Sequence, residues 1–199
     1  MARMKNEPEG DSIRSSFDAN EMYEEMIIVA LQQGEQGALA VLMRRYEGSL
    51  FNYLFRLTGS REDAQDLFQD SFVRVFRRAQ QYDASRPFKP WLYQIATNLC
   101  RDTWRKRGRR HETALLDEDV KTESAGPGEI AAAREQATVL ATAVAALPLK
   151  QRAVFVMARY QDMPYEQIGA ALEIPVGTVK SRMHKAVSTL MKKMEMLQA

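Results

Sequence analysis

Along most of the chain, apolar residues recur every three or four positions, which is the spacing of one face of an α-helix. The clearest stretch predicts a third helix whose inner face consists of Ala64, Leu67, Phe68, Ser71, Phe72, Val75, Phe76 and Ala79. No stretch alternates between apolar and polar residues in the way that a half-buried strand does. The pattern therefore predicts an all-α protein.

Helix boundaries in the N-terminal part of the chain follow from glycines and capping residues. A first helix is predicted from about Asn20 to a break at Gly34, with an inner face of Met22, Met26, Ile27 and Ala30. A second helix ends at Gly59, because glycine readily adopts the left-handed conformation of a helix C-cap. Ser60 with Asp63 three residues later forms an approximate capping box, which marks the start of the third helix.

A loop with aromatic residues precedes a strongly basic helix. The stretch from Tyr82 to Pro90 (YDASRPFKP) is predicted to be a loop because it contains two prolines and several small polar residues. The helix that follows carries six cations against the single anion Asp102, namely Arg101, Arg105, Lys106, Arg107, Arg109 and Arg110. This combination is typical of binding to single-stranded nucleic acid. Trp91 alone is more often a core residue, so both roles are open for it.

The composition changes abruptly over residues 112–129. Acidic residues dominate there against the single cation Lys121, and they are Glu112, Asp117, Glu118, Asp119, Glu123 and Glu129. With the segment Gly126-Pro127-Gly128 at its end, this stretch is predicted to be a flexible acidic linker. It joins two small helical domains, 20–111 and 130–199, and a mobile tail occupies residues 1–19.

The second domain contains the pattern of a helix-turn-helix. A short helix is predicted from Pro164 to Leu172, followed by a turn and a second helix with a buried stripe of Val179, Met183, Ala186, Leu190 and Met194. The opposite face carries Lys180, Ser181, His184, Lys185 and Ser188, a mixture that suits phosphates and base edges. An ordinary amphipathic hairpin with solvated cations is the alternative. Gly177 favours DNA recognition, because it leaves room for a phosphate near the helix N-terminus.

Composition narrows the classes of function. The single cysteine, Cys100, excludes an internal disulfide and a cysteine-rich metal site. His111 and His184 complete no ligand set or nucleophile–base pair, so an enzyme acting on nucleic acid is a weak alternative and no cofactor is expected. No apolar run is long enough to cross a membrane and no signal core is present, so we expect a cytoplasmic protein. The net charge is only +2, so the placement of charges matters more than their sum.

Three stretches of the sequence, in this order, resemble the extracytoplasmic-function (ECF) sigma factors, group 4 of the sigma-70 family of RNA polymerase subunits. They are Leu57 to Phe72 (LTGSREDAQDLFQDSF), Pro90 to Leu99 (PWLYQIATNL), and Leu147-Pro148 together with Pro175 to Arg182 (PVGTVKSR). The resemblance covers roughly residues 24–194. Pro164 departs from it, because the family usually has a serine or threonine cap there, and so does His184, where an aromatic residue or a longer cation is common.

The resemblance implies a transcription initiation factor with three binding surfaces. The third helix would bind the clamp helices of the polymerase's largest subunit through Asp66, Gln69, Asp70 and Arg74. The melted minus-10 promoter element would be bound by Tyr82, Ser85, Arg86, Phe88, Lys89, Asn98, Arg101 and Arg105. The duplex minus-35 element would be read by Thr178, Lys180, Ser181, Arg182, His184 and Lys185. An anti-sigma factor is implied as a further partner, and a free-standing dimeric regulator with a similar hairpin is the alternative.

Overall fold

The computed structural model describes residues 23–108 and 138–198. Within these two ranges the chain forms eight α-helices and no strand, which confirms the all-α prediction. The helices are α1 (23–32), α2 (Gln36–Thr58), α3 (Arg61–Arg78), α4 (Phe88–Gly108), α5 (138–145), α6 (Leu149–Tyr160), α7 (Tyr165–Leu172) and α8 (Val176–Gln198), with a 3-10 turn at Ala79–Gln81. The predicted tail and linker lie outside the described residues.

Helix α1 lies on α2 through a buried carboxylate. Glu24 is 5% exposed and accepts hydrogen bonds from Arg45 Nε at 2.8 Å and Tyr46 Oη at 2.7 Å. Ile28 follows on the same face, whereas Met26 is 67% exposed, so its predicted inward position is wrong. The error arises because a buried, paired carboxylate is invisible to a hydrophobic pattern.

The caps that delimit α2 and α3 form as predicted. Gly59 adopts a φ of 75° and its N–H donates to Phe55 O, while Ser60 Oγ accepts from the Asp63 N–H at 3.2 Å. Most of the predicted inner face of α3 is buried. Phe76 is the exception, at 52% exposed. It lies about 100° around the helix from Val75, which is fully buried as predicted.

Helix α4 begins at Phe88, so the predicted loop ends three residues earlier than Pro90. Pro90 is tolerated because the N–H groups of a first helical turn have no partner within the helix. Phe88 is 1% exposed and packs edge-on against Tyr46 and Trp91, with ring centroids 5.6 and 5.8 Å apart. It is therefore a core residue of the first half of the molecule.

In the second half, α7 and α8 form the predicted helix-turn-helix. Helix α7 starts one residue after Pro164, which occupies the N-cap position without a side-chain capping bond. Glu173 ends α7 in the left-handed conformation, with a φ of 53°, and α8 begins at Val176. The turn also depends on Gly169, where an added Cβ would lie 2.9 Å from Ile174 O.

The two halves pack against each other, with α4 on α7 and α2 on α6. Their buried apolar residues form one continuous core. Hydrogen bonds cross the boundary from Arg152 Nη1 to Leu57 O at 2.6 Å, from Lys89 Nζ to Gln161 O at 2.7 Å, and from Tyr93 Oη to Gln161 Oε1 at 2.6 Å. The division of the sequence into two domains did not anticipate this contact.

Candidate nucleic-acid and polymerase interfaces

A cationic groove runs between α3 and α4. It encloses a cavity of about 360 Å³ whose lining includes Arg74, Arg78, Asn98, Arg101 and Arg105. The arginines are spaced by four residues on each helix, so each pair projects to the same side. Arg74, which was predicted to face the polymerase, lies here with the predicted minus-10 residues. Arg78 was not predicted, although it completes the same helical spacing.

A second cavity, of about 930 Å³, lies between the loop before α4 and helix α7. The Tyr82 and Trp91 rings stack on one side of it, with centroids 4.2 Å apart and planes inclined by 26°. Tyr82 is 9% exposed, its hydroxyl donates to Arg86 O at 2.6 Å, and burial raises its pKa. The hydroxyl therefore stays protonated and fixes the loop, while the half-buried indole borders the cavity.

Asp83 organises the loop, a role that the sequence did not reveal. Its Oδ1 accepts from the Ser85 N–H at 3.1 Å and from Ser85 Oγ at 2.6 Å, and its Oδ2 pairs with Arg86 Nε at 3.3 Å. The hydrogen bonds from Ser85 hold the pKa of Asp83 below its usual value. Ser85 and Arg86, two of the predicted minus-10 residues of the loop, are thus positioned by one carboxylate.

Two predicted minus-10 residues are engaged elsewhere. Phe88 is buried, and its ring packs edge-on against the Tyr82 and Trp91 rings instead of facing the cavity. Lys89 is half-buried, and its ammonium donates to the main chain of the second half at Gln161. Burial lowers the pKa of Lys89, while the nearby Asp162 carboxylate acts in the opposite direction.

The outer face of α3 combines acidic and apolar residues. Asp66, Gln69 and Asp70 are all exposed, as predicted for a docking face. Val73 and Phe76 continue the same face toward the C-terminus and are 45% and 52% exposed. Protein interfaces are enriched in aromatic residues at their core and have a polar rim. Phe76 was missed because the periodicity assigned it to the core, and Val73 was not among the residues predicted for either face.

The exposed face of α8 carries the predicted recognition residues. Lys180, Ser181, His184 and Lys185 are exposed, and Thr178 and Arg182 are half-buried beside them. Ser181 Oγ donates to Thr178 O at 3.1 Å. A Cβ added at Gly177 would meet nothing within 4 Å, so the N-terminus of α8 is open to an approaching phosphate.

Within residues 23–108 and 138–198, no group of three or more histidine, cysteine or acidic side chains is placed to hold a metal ion. Over the same ranges, no helix combines the length and the apolar character that crossing a bilayer requires.

Comparison with known proteins gives the family. Sigma-70 region 2 matches residues 42–110, and Sigma-70 region 4 matches residues 138–190. The ECF RNA polymerase sigma factor SigL of Mycobacterium tuberculosis is 33% identical over 167 residues, which are 81% of this chain and 94% of SigL. The chain belongs to the ECF sigma factors. SigW of Bacillus subtilis is 28% identical over 84% of the chain and 94% of SigW.

This sigma factor is also similar to a longer relative. SigE of Mycolicibacterium smegmatis is 36% identical over 157 residues, which are 76% of the chain and 61% of SigE. The chain therefore matches less than two thirds of that protein.

Solved structures share the fold of this sigma factor. CnrH in complex with the cytosolic domain of CnrY has a TM-score of 0.66 and 23% identity, over 86% of this chain and 97% of that one. The sigma factor RpoE in complex with the anti-sigma factor NepR, from Bartonella quintana, has a TM-score of 0.67 and 20% identity, over 78% and 96%. At these identities the likeness concerns the fold alone.

The predicted binding sites fall in different matched regions of the chain. Region 2 contains α3, the loop and the cationic groove, and hence the residues predicted to bind polymerase and the minus-10 element. Region 4 contains the helix-turn-helix and all of the predicted minus-35 residues.

Proposed function

We propose that this sigma factor binds core RNA polymerase and directs it to promoters with two recognition elements. One observation carries the proposal: the chain has two different cationic faces, one in each matched region. The first is a groove beside a stacked aromatic loop, and the second is the open face of a helix. A groove of this kind suits an unpaired strand, whereas a helix face suits the major groove of a duplex.

The minus-10 element would be held as a melted strand. Arg101 and Arg105 would neutralise its phosphates, and Asn98, which lines the groove between α3 and α4, would hydrogen-bond to an exposed base edge. The cavity beside Trp91 is large enough for an unstacked base. The Asp83 network would keep Ser85 and Arg86 in place for the strand before it arrives, which lowers the ordering cost of binding.

The minus-35 element would be read in the duplex by α8. Lys180, Ser181 and Lys185 combine charge with small hydrogen-bonding groups on one exposed face. Arg182 and Thr178, half-buried near the start of the helix, would contact the phosphates that flank the reading face. The N-terminus of α8 at Gly177 would accept another phosphate.

Polymerase would dock on α3 through Asp66, Gln69 and Asp70, and Phe76 would pack at the centre of that contact. We further propose that the two domains have the boundaries given above. The protein acts by binding alone, with no catalytic step, and it does so in the cytoplasm, where the polymerase is. An anti-sigma factor is proposed as a regulator, as the family resemblance implies and as the complex of the Bartonella quintana relative illustrates.

Reconstitution with sigma-free core polymerase tests the proposal. The purified protein is added to core enzyme with genomic DNA from the same bacterium, and the transcript starts are mapped. The expected result is a defined set of starts with shared sequences near positions minus-10 and minus-35. Starts that do not depend on the protein, or metal-dependent cleavage of the DNA, would overturn it.

A further inference from the structure

The C-terminal end of α1 contacts the loop that precedes α4. The side-chain amide of Gln32 donates two hydrogen bonds to main-chain oxygens, to Ala79 O at 2.8 Å and to Tyr82 O at 2.7 Å. These acceptors lie 47 and 50 residues away along the chain. An amide nitrogen has two hydrogens to donate. Both are therefore used to hold the main chain where the loop begins.

A second glutamine makes a bond in the opposite direction. Gln80, in the 3-10 turn at Ala79–Gln81, donates its side-chain N–H to Gln32 O in the last turn of α1. Carbonyls in the last turn of a helix have no partner within that helix, so this oxygen is available. The turn itself is closed by the Tyr82 N–H, which donates to Ala79 O at 3.1 Å. Three hydrogen bonds thus join the end of α1 to the turn and to the first residue of the loop.

The main chain at Tyr82 sets the position of the aromatic stack beside the larger cavity. The Tyr82 ring lies on the Trp91 ring with centroids 4.2 Å apart, and both residues line that cavity. Bonds within the loop, from Tyr82 Oη to Arg86 O and from Arg86 Nε to Asp83, hold the shape of the loop. The bonds from Gln32 attach this shape to α1.

Loss of these bonds should move the loop without unfolding the protein. Tyr82 is 9% exposed, and a buried carbonyl that loses its donor is costly, so the loop would shift to bring Tyr82 O to water. Helix α1 keeps its other attachments, which are the buried Glu24 with its two partners on α2 and the buried side chains of Ile28 and Leu31. The effect of Gln32 is therefore local to the loop.

We propose that Gln32 is a positioning residue for the minus-10 element. Its amide holds the main chain at Tyr82, so that the cavity beside the Tyr82 and Trp91 rings is formed before an unstacked base arrives. A site formed in advance lowers the ordering cost of binding. The inference rests on the proposed function for the identity of the ligand. It gives α1 a part in promoter melting, although α1 precedes the residues that match Sigma-70 region 2, which begin at residue 42.

Substitutions at Gln32 separate hydrogen-bond donation from size and charge. Gln32→Glu has nearly the same shape but only accepts hydrogen bonds when ionised, and Gln32→Met removes both donors without adding a charge. Gln32→Lys carries donors on a slightly longer side chain and is expected to keep the loop attached. The same three substitutions at Gln33, the exposed neighbour, are the matched controls.

Fluorescence of Trp91 reports the loop in the protein alone. The chain has two tryptophans, so Trp104→Phe, which keeps a ring beside Arg152, leaves Trp91 as the single fluorophore of this kind. In that background, Gln32→Glu and Gln32→Met are expected to raise the acrylamide quenching constant and to shift the emission to the red. The reason is that release of the Tyr82 ring uncovers one face of the indole. Gln32→Lys and the Gln33 variants should keep the original emission.

Promoter melting with core polymerase measures the consequence. 2-Aminopurine in the minus-10 element reports melting of a promoter found by transcript mapping, at holoenzyme concentrations that saturate it. Gln32→Glu and Gln32→Met are expected to lower the melting rate about tenfold, the effect on a rate of losing about one net hydrogen bond. The concentration for half-saturation should stay nearly unchanged, and Gln32→Lys should restore most of the rate. A smaller folded fraction alone would lower the amplitude of melting and not its rate.

Two results would overturn the inference: equal Trp91 quenching in the Gln32 and Gln33 variants, or equal melting rates for Gln32→Met and the unaltered protein. In the second case the proposed function stands, because the unaltered protein still melts the promoter. If the unaltered protein melts no promoter with core polymerase, the proposed function fails. A difference in Trp91 quenching between the Gln32 and Gln33 variants would then still support the attachment of the loop to α1.

Discussion

Gly169 shows how a single missing side chain shapes the helix-turn-helix. It lies within α7, and its carbonyl accepts from the Ile174 N–H at 3.0 Å as the chain turns back. The carbonyl of Ile174 stands 2.9 Å from the place that a Cβ at Gly169 would occupy. Backbone atoms cannot move aside as a flexible side chain can, so the turn requires glycine here.

We therefore expect Gly169→Ala to lower the free energy of unfolding by about 1–2 kcal/mol, because the clash outweighs the better helix propensity of alanine. Gly48→Ala is the matched control. Gly48 lies in the middle of α2 with nothing within 4 Å of its missing Cβ, so alanine should stabilise the protein by up to about 1 kcal/mol. Denaturant unfolding measures both, and equal effects would contradict this account of the turn.

Asp83 is the second residue with an effect beyond its own position. Asp83→Ala is expected to release Ser85 and Arg86 and to reduce promoter melting by polymerase several-fold, with little change in global stability. Asp83→Asn, which keeps an acceptor oxygen but loses the charge, should fall between. Because the pKa of Asp83 is lowered, the loop contribution is present above about pH 4 and is lost as pH falls further. Identical melting by Asp83→Ala and the unaltered protein would refute this role.

Helix α3 presents the acidic and apolar face assigned to polymerase. Asp66→Lys with Asp70→Lys should weaken binding to core polymerase by about 2–5 kcal/mol, because two opposite-charge contacts become repulsive. The fold should persist, since both side chains are exposed. Glu25→Lys with Glu47→Lys makes the same charge change on α1 and α2 and should leave binding nearly unchanged. Unaltered capture of core enzyme by the α3 variant would remove the assigned role.

Helix α8 is the element that we propose to read the bases of the minus-35 element. Lys180→Ala or Lys185→Ala should cost about 1–3 kcal/mol at particular minus-35 base pairs if the side chain reaches a base, whereas a phosphate contact should weaken all sequences alike. Ser181→Ala tests the same face without a charge change. Lys192→Ala, an exposed residue of α8 beyond the region 4 match, is the control. A promoter library analysed with polymerase distinguishes these outcomes.

The elements themselves were largely predictable because their signals are local. Helix periods, the Gly59 cap and the Ser60 cap depend on neighbours within a few residues, and each is present in the structure. The errors concern which way a helix faces. Met26 is exposed while Glu24 lies inward, and Phe76 is exposed while its neighbour Val75 is buried. Which face is buried depends on the packing partner.

At the scale of the whole molecule, the contact between the halves could not be predicted from the sequence. Arg152 lies in an amphipathic helix, and its partner Leu57 is 95 residues away. The partner is also a backbone carbonyl, which carries no signature in the side-chain sequence. A strongly acidic segment between two helical patterns predicted separate domains, whereas buried polar groups on both sides hold them together.

The contact between the two halves leads to an expectation about how the free protein binds duplex promoter DNA. We expect weak and poorly selective binding by the protein alone, for two reasons. The net charge is only +2, and Glu173, just after α7, lines the same cavity as the groove arginines. Phosphate neutralisation dominates affinity for DNA, so masking by an internal carboxylate lowers it, and the effect should shrink as salt screens both attractions.

Core polymerase should convert the same protein into a selective binder. With the halves held apart at promoter spacing, binding at one element raises the effective concentration at the other, so affinity and selectivity rise together. A free-standing dimeric regulator would behave in the opposite way and would bind its palindromic site tightly without polymerase. Footprinting distinguishes the sigma factor from the dimeric regulator. It is done at near-physiological salt, with and without core enzyme, on a promoter found by transcript mapping. Tight two-fold symmetric protection by the protein alone would favour the dimeric regulator, whereas protection of both elements only with core enzyme is the expected result.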